Sequence, residues 1–461
     1  MSLISSMVFK ENNLATLIQK YNVPCPRYTS YPTVPFWDNK DFNAKAWKQQ
    51  VQQSFIKNGH EDGISLYIHL PYCESLCTYC GCNTRITVNH AVEIPYINAL
   101  LEEWEMYKRL LGKNPKIKEI HLGGGTPTFF SPENIFQLIE AILCGAVIYD
   151  DAEFSFEAHP NNTTEEHLRV FYGFGFRRVS LGIQDFDLKV QEIVNRKQSY
   201  EQVEKLTLLA RKIGYTSINY DLIYGLPLQT VKGISETIYK VIALKPDRIA
   251  FYSYAHVPWL KSSQRRFTEL DLPTEEVKIK LCEVGHLLLK EAGYIEIGMD
   301  HFSLPTDSLY QAYSTKTMHR NFMGYTSSHT SMLIGLGCSS ISDVWTAFAQ
   351  NIKTVEEYIK EVNNGHLPVF NGHFHTEEDL LLRKHILNIM CKMETPLHHY
   401  DGLSSDIIIR LKELEKDGLV EIKEDYLRVT KIGEGSFLRN ICMCFDERLH
   451  LKNSNYQFSR K

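Results

Sequence analysis

The stretch CESLCTYCGC, residues 73–82, holds four of the eleven cysteines in a chain of 461 residues. Their spacing is C-x3-C-x2-C-x-C, over Cys73, Cys77, Cys80 and Cys82. Three chemistries use thiols set so closely. A structural zinc site takes four soft ligands but commonly draws them as two pairs from separated knuckles. A redox C-x2-C pair needs only Cys77 and Cys80. An iron–sulfur cluster fits best, because one loop can wrap three corners of a cube of iron and sulfide with thiolates at short spacings. Three ligands leave one iron open to a substrate or cofactor, whereas four close it. The spacing sets Cys82 outside the ligand set.

The elements that must hold this loop are readable around it. Short β-rich runs occur at SLYIHL (65–70), KEIHLGGG (118–125), EFSFEA (153–158), RRVSLGIQ (177–184), SINYDLIYG (217–225) and RIAFYSYA (248–255). Helical periodicity follows most of them, as in EQVEKLTLLARKIG (201–214) and SETIYKVIALK (235–245). Crossovers long enough for a helix are what parallel strands require. The expectation is an α/β fold on six βα units, either a partial TIM-like barrel or a doubly wound sheet, with YIEIGM (294–299) extending its edge. The cysteine loop starts where the first strand ends, the face on which such sheets place their active sites. Residues 1–55, with PCPRYTSYPTVPFW, read as an irregular segment packing near that site; 56–365 form the catalytic domain. Residues 366–461 read as a mostly helical C-terminal domain. Its order of helix, short strand, turn and strand is winged-helix-like, but the charges are mixed and form no basic stripe. Packing or substrate closure is the expected role rather than DNA binding.

Composition narrows the function classes. The formal net charge is −5, which argues against non-specific partnership with nucleic acid or anionic membrane, since both need a broad cationic surface. An acidic ligand must therefore find a local basic pocket. The N-terminal MSLISSMVFKENNLATLIQKYN lacks the basic flank and long apolar core of a secretory signal, and AILCGAVIY is far too short to span a bilayer. A cytoplasmic protein is expected, and in a reducing cytosol clustered cysteines are metal ligands or catalytic groups before they are disulfides.

At this point the residues carry a resemblance. CESLCTYC matches the C-x3-C-x2-C motif of the radical S-adenosylmethionine (SAM) enzymes. The surrounding segments are similar to the family of oxygen-independent coproporphyrinogen III oxidases, also called coproporphyrinogen dehydrogenases. They are PRYTSYPT (26–33), YIHLPYCESLCTYCGCN (67–83), HLGGGTPT (121–128), GIQDF (182–186), VNR (194–196), DLIYGLP (221–227), YAHVP (254–258), GMDHF (298–302), HRNFMGYT (319–326) and RNICMCFD (439–446). The ordered set spans nearly the whole chain. The resemblance implies a partial (β/α)6 radical SAM barrel and a [4Fe-4S] cluster held by Cys73, Cys77 and Cys80. It implies two SAM molecules, cleaved to methionine and 5′-deoxyadenosine. The implied reaction converts two propionates of coproporphyrinogen III to vinyl groups, giving protoporphyrinogen IX for haem synthesis.

Site residues follow the same resemblance. Tyr67, Gly124, Glu157 and Ile341 would contact the first SAM, Glu157 being suited to ribose hydroxyls. Tyr79, Gly125, Thr126, Gln184, Arg196, Asp221 and Ala255 would contact the second. Read alone, a triple glycine after a strand is a tight turn, and a strand-end Gln184 or Asp221 a satisfied polar residue. Four substrate carboxylates need cations, and Arg27, His319, Arg320 and Arg439 are the candidates. One departure stands out: family members often carry an acidic residue where this chain has His159. Cys442 and Cys444 form a C-x-C read as packing or pocket lining rather than an additional metal pair. The alternatives are a haem chaperone-like relative that binds haem without decarboxylation, and a zinc-stabilised binding module. The chaperone-like relatives typically have an aromatic residue in place of Cys82 and lack the PRYTSYP and RNICMCFD segments. An unidentified electron donor and acceptor complete the expected partners, and a monomer is expected.

Overall fold

Each β-rich run forms a strand, and the strands between them pair in chain order. The structure is a computed structural model that describes residues 16–112, 115–397 and 402–451. Helix α1 (Ala44–Ser54) leads into β1 (Ile64–Leu70), followed by α2 (Glu93–Leu111), β2 (Lys116–Gly124), α3 (Pro132–Leu143), β3 (Val147–Ala158) and α4 (Glu165–Gly173). Then come β4 (Phe176–Gln184), α5 (Tyr200–Ile213), β5 (Ser217–Tyr224), α6 (Val231–Leu244), β6 (Arg248–Ser253) and α7 (Glu275–Glu291). The six strands β1 to β6 are parallel neighbours throughout. Capping explains several starts: Ser131 caps α3 just before Pro132, and Ser199 with Gln202 forms a capping box on α5. On α2, Tyr96, Leu100, Trp104, Tyr107 and Leu111 repeat at three- and four-residue steps and are buried against the sheet.

The edge beyond β6 forms as the 294–299 run suggests. β7 (Ile295–Ile297) lies outermost, joined through β8 (His301–Ser303), which runs antiparallel to β6. The other edge is larger than the sequence reading anticipates. β9 (Leu333–Leu336) lies parallel to β1, and β10 (Ile341–Asp343), β11 (Ala347–Asn351) and β12 (Val369–Phe374) add antiparallel, completing a 12-stranded sheet. These strands are short and their alternation too brief to stand out. β12 also carries the sheet past position 365, where composition changes, because an edge strand held by backbone pairing such as Phe348 with His373 need not be apolar.

Past the sheet, α8 (Glu377–Lys392) and α9 (Ser405–Lys416) pack with a three-stranded antiparallel sheet of Glu394–Pro396, Tyr426–Val429 and Val420–Ile422. The N-terminal segment lies on this unit. Leu17, Cys25, Tyr28 and Tyr31 share a second hydrophobic core with Ile386, Met390, Leu411 and Ile441. The Tyr28 hydroxyl donates to Asp446 at 3.0 Å, and Trp37 stacks on Phe348 of β11 at 5.4 Å. The segment thus bridges sheet and C-terminal unit.

The inner face of the sheet is polar at every second residue. Ser65 donates to Glu119 at 2.9 Å, His121 meets Ser155 at 2.8 Å, Arg178 donates to Ser155 at 2.8 Å, and Ser180 donates to Asp221 at 3.0 Å. At the N-terminal end of the strands a buried pair, Arg248 with Asp307 at 2.6 Å, closes this layer. The polar lining directs the open C-terminal ends toward a site rather than a greasy core.

Candidate active site

The cysteine loop leaves β1 and is tied down on both sides. Tyr72 and Cys73 pair in parallel with Arg85 and Ile86, Thr78 N donates to Val194 O at 2.9 Å, and Asn195 Nδ2 donates to Leu76 O at 2.9 Å. Cys73, Cys77 and Cys80 all line one cavity of about 390 Å³, with Tyr79, Gly125, Thr126, His159 and Arg196. Burial pushes the Cys73 thiol up to about 11, although Thr126 Oγ1 lies 3.3 Å from its sulfur. Cys80 is pulled down to about 6, chiefly by the Cys82 thiol and then by the Cys82 amide, whose nitrogen is 3.4 Å from the Cys80 sulfur. Cys82 itself lines the adjoining cavity.

Arg196 is the charge beside these thiols. Its Nη1 is 3.6 Å from Cys77 Sγ and its Nη2 donates to Gly182 O at 2.6 Å. Burial works against the guanidinium, but Tyr79 and Cys77 outweigh it and hold the charge on. Its buried Nε has no hydrogen-bond partner among the described residues. His159 is neutral, held down to about 3 by burial and by Arg196, so local positive charge comes from the arginine alone of these two. Among the described residues no three Cys, His, Asp or Glu side chains converge as around a single ion. Three thiols opening into one cavity beside a fixed cation fit a cluster of several irons, which spreads its ligands over a larger body.

The adjoining cavity, about 250 Å³, gathers Tyr67, Gly124, Glu157 and Ile341, with His69, His121 and Cys82. Gly124 has φ +115°, and a Cβ there would sit 2.8 Å from the His69 ring. At Gly125 a Cβ would sit 2.5 Å from Pro71 O. Only glycine lets the backbone pass this closely here. Glu157 accepts from Gly124 N at 3.3 Å and lies 3.5 Å from His121, yet its side chain is 43% exposed, which leaves lone pairs facing the cavity. The four first-SAM candidates are thus brought together, and a nucleoside with ribose hydroxyls and a charged tail suits their chemistry.

The second set divides. Tyr79, Gly125, Thr126 and Arg196 line the cysteine cavity, while Gln184, Asp221 and Ala255 line neither cavity. Gln184 ends β4, Asp221 lies within β5 three residues before its end, and Ala255 lies just past β6. Asp221 accepts from Ser180 and from Asn219 at 2.9 Å, and burial, reinforced by Glu157, raises it to about 6. One residue the sequence reading missed joins these pieces. Buried Gln264 donates from Nε2 to both Tyr79 O and Ala255 O at 3.3 Å and accepts from Val257 N at 2.6 Å. Nothing in its local sequence marks it. His69 was findable, since it lies two residues from Tyr67 on the same face and receives the Tyr67 hydroxyl at 3.1 Å.

The four substrate candidates serve unequal roles. Arg320 donates to the backbone oxygens of Tyr28 and Arg27 and lies over Tyr325 at 4.4 Å, so most of it anchors the N-terminal segment. His319 faces His329 at 4.3 Å, and burial holds it neutral, so it supplies no cation. Arg27 is exposed, over the Tyr252 ring at 5.5 Å. Arg439 is buried. Cys442 and Cys444 belong to the second hydrophobic core.

A parallel βα sheet with a C-x3-C-x2-C loop at the end of its first strand is the architecture of a radical SAM protein, and residues 67–239 match the radical SAM superfamily. The similarity goes further at full length. The chain is 37% identical over 453 residues to the oxygen-independent coproporphyrinogen III oxidase of Escherichia coli, covering 96% of this chain and 97% of that one. The enzyme of the same name from Helicobacter pylori strain 26695 is 37% identical, again over 96% and 97%. A solved structure of coproporphyrinogen III oxidase from Escherichia coli, described as a radical SAM enzyme, superposes with a TM-score of 0.86 at 35% identity, covering 91% of this chain and 97% of that one. The chain belongs to the oxygen-independent coproporphyrinogen III oxidase family.

Proposed function

We propose that this chain catalyses the oxygen-independent oxidative decarboxylation of two propionates of coproporphyrinogen III, forming protoporphyrinogen IX for haem synthesis. The observation that carries it is the pairing of a three-cysteine cavity with an adjoining cavity lined by Tyr67, Gly124, Glu157 and Ile341. In each turn a propionate loses a hydrogen atom from the carbon β to its carboxylate, carbon dioxide and one electron, leaving a vinyl group. The cluster and SAM, when bound, supply the reducing electron and the radical that takes the hydrogen atom.

The chain's own residues hold and shield. Cys73, Cys77 and Cys80 ligate the cluster, and Arg196 holds a positive charge against it. Glu157 accepts the ribose hydroxyls of the first SAM beside Tyr67, Gly124 and Ile341. Tyr79, Gly125, Thr126, Gln184, Arg196, Asp221 and Ala255 serve a second SAM, with Gln264 fixing the backbone at Tyr79 and Ala255. Arg27 and Arg439 neutralise propionates at the mouth, where residues 16–55 form one wall. The remaining electron passes to an external acceptor, and an external one-electron donor reduces the cluster. The reading extends to a monomer in the cytoplasm.

Haem carriage without decarboxylation is the competing reading; the full-length match to coproporphyrinogen III oxidases, terminal segments included, favours the enzyme. Anaerobic reconstitution with iron and sulfide, followed by SAM, reductant and coproporphyrinogen III, decides between them. Protoporphyrinogen IX with close to two SAM consumed per macrocycle is expected. SAM cleavage without decarboxylated product refutes the assignment.

A further inference from the structure

We propose that Lys278, together with Arg27 and Arg439, forms a carboxylate-binding cluster that grips a propionate of the tetracarboxylate substrate. The inference rests on the porphyrinogen reading above and names a residue that no sequence motif marks. Lys278 lies on the first turn of α7, and its Nζ donates to Tyr254 O at 3.0 Å. Arg27 Nη2 donates to the preceding carbonyl, Ser253 O, at 3.2 Å. The two cations are therefore fastened to consecutive backbone oxygens at the C-terminal end of β6, beside Ala255.

Arg439 joins the group from the short helix Leu438–Met443, at 5% exposure, two residues after Phe437, which lines the same cavity as Lys278. Among the described residues, no carboxylate forms an ion pair with Lys278, Arg27 or Arg439, whereas the buried Arg248 has Asp307. Glu275, one turn earlier on α7, lines the same cavity as Lys278, and its carboxylate offsets part of the repulsion there. Gly225, at the end of β5, makes the approach possible: a Cβ there would lie 2.9 Å from Lys278 Cε. Burial, reinforced by repulsion from Arg439 and Arg27, pulls the Lys278 ammonium down to about 8. Cations crowded together in a partly dehydrated place are destabilising on their own and become favourable when an anion enters. A propionate arriving at the C-terminal ends of β5 and β6 supplies that anion where the strands present the rest of the site.

The test uses the full chain, reconstituted anaerobically, and coproporphyrin III, the oxidised fluorescent tetracarboxylate, as the probe. Lys278→Met should weaken binding by about tenfold or more, with Lys278→Arg recovering most of the affinity. The reduced-cluster spectrum with SAM should be the same in both variants. Binding by Lys278→Met within about twofold of wild type overturns the proposal. So does equal loss in both variants accompanied by an altered cluster spectrum, which would make Lys278 a packing residue. If wild type binds coproporphyrin III but makes no vinyl product, the decarboxylase reading fails and the anion cluster stands; if wild type does not bind it, both fail.

Discussion

Replacing Gly124 with alanine probes the cradle directly. The residue holds φ +115°, a conformation that costs a side-chain-bearing residue about 1–3 kcal/mol. The new Cβ would also lie 2.8 Å from Nδ1 and Cε1 of His69. That ring cannot swing away freely, because Nδ1 accepts from the Tyr67 hydroxyl at 3.1 Å and Nε2 donates to Asn83 O at 2.9 Å. Displacing it forfeits two hydrogen bonds at about 1 kcal/mol each. The combined loss is about 3–5 kcal/mol, split between backbone strain and the clash. The assay is urea denaturation of the reduced apo chain, with SAM affinity measured alongside. Gly173→Ala serves as control, since a Cβ at Gly173 meets nothing within 4 Å. The two contributions separate in a cycle with His69→Ala, which removes the obstructing ring. Gly124→Ala should then cost only the backbone strain, a coupling of about 2 kcal/mol. An unchanged denaturation midpoint in Gly124→Ala, or strict additivity in the double variant, refutes the reasoning.

Cys82 lines a different cavity from the other three cysteines, so Cys82→Ala should retain the iron and sulfide content of wild type after reconstitution while Cys77→Ala loses most of it; equal loss in both would place Cys82 among the ligands. Glu103 offers a pH signature. It is buried on α2 and raised to about 7 by burial, against hydrogen bonds from Gly337 N at 2.8 Å, the Tyr358 hydroxyl at 2.6 Å and Asn351 Nδ2 at 2.6 Å. A carboxyl whose folded pKa lies above its unfolded value of 4.5 stabilises the fold most below that value. Its contribution falls as pH rises through about 7, by about 3 kcal/mol at 1.4 kcal/mol per pH unit. The stability difference between wild type and Glu103→Gln, measured from pH 5 to 8, should therefore move against wild type as pH rises; a flat or opposite trend contradicts the burial argument.

Much of the site was legible because its chemistry is local. Cys73, Cys77 and Cys80 fall within eight positions, so one loop must carry all three, and the strand before them had to deliver that loop to the end of the sheet. The parallel core was legible for a similar reason: six β-rich runs separated by helix-length crossovers leave few other ways to pair. β9 to β12 were not, since strands of three to six residues carry little periodicity and are defined by the partner edge that receives them.

Tertiary structure alone decided which polar residues are available to a ligand. Arg320 and Arg27 look equivalent in the sequence, yet Arg320 reaches across 292 positions to hold the Tyr28 carbonyl, whereas Arg27 stays exposed over Tyr252. His319 reads as a cation until burial beside His329 removes its proton. Lys278 sits on a helix that looks like any amphipathic crossover, and only the fold sets it against the Tyr254 carbonyl. Sequence determines the chemistry a side chain can perform and the periodicity of its element. Desolvation and neighbouring charge, which decide whether that chemistry is free to act, arise from segments hundreds of residues away and exist only once the chain has folded.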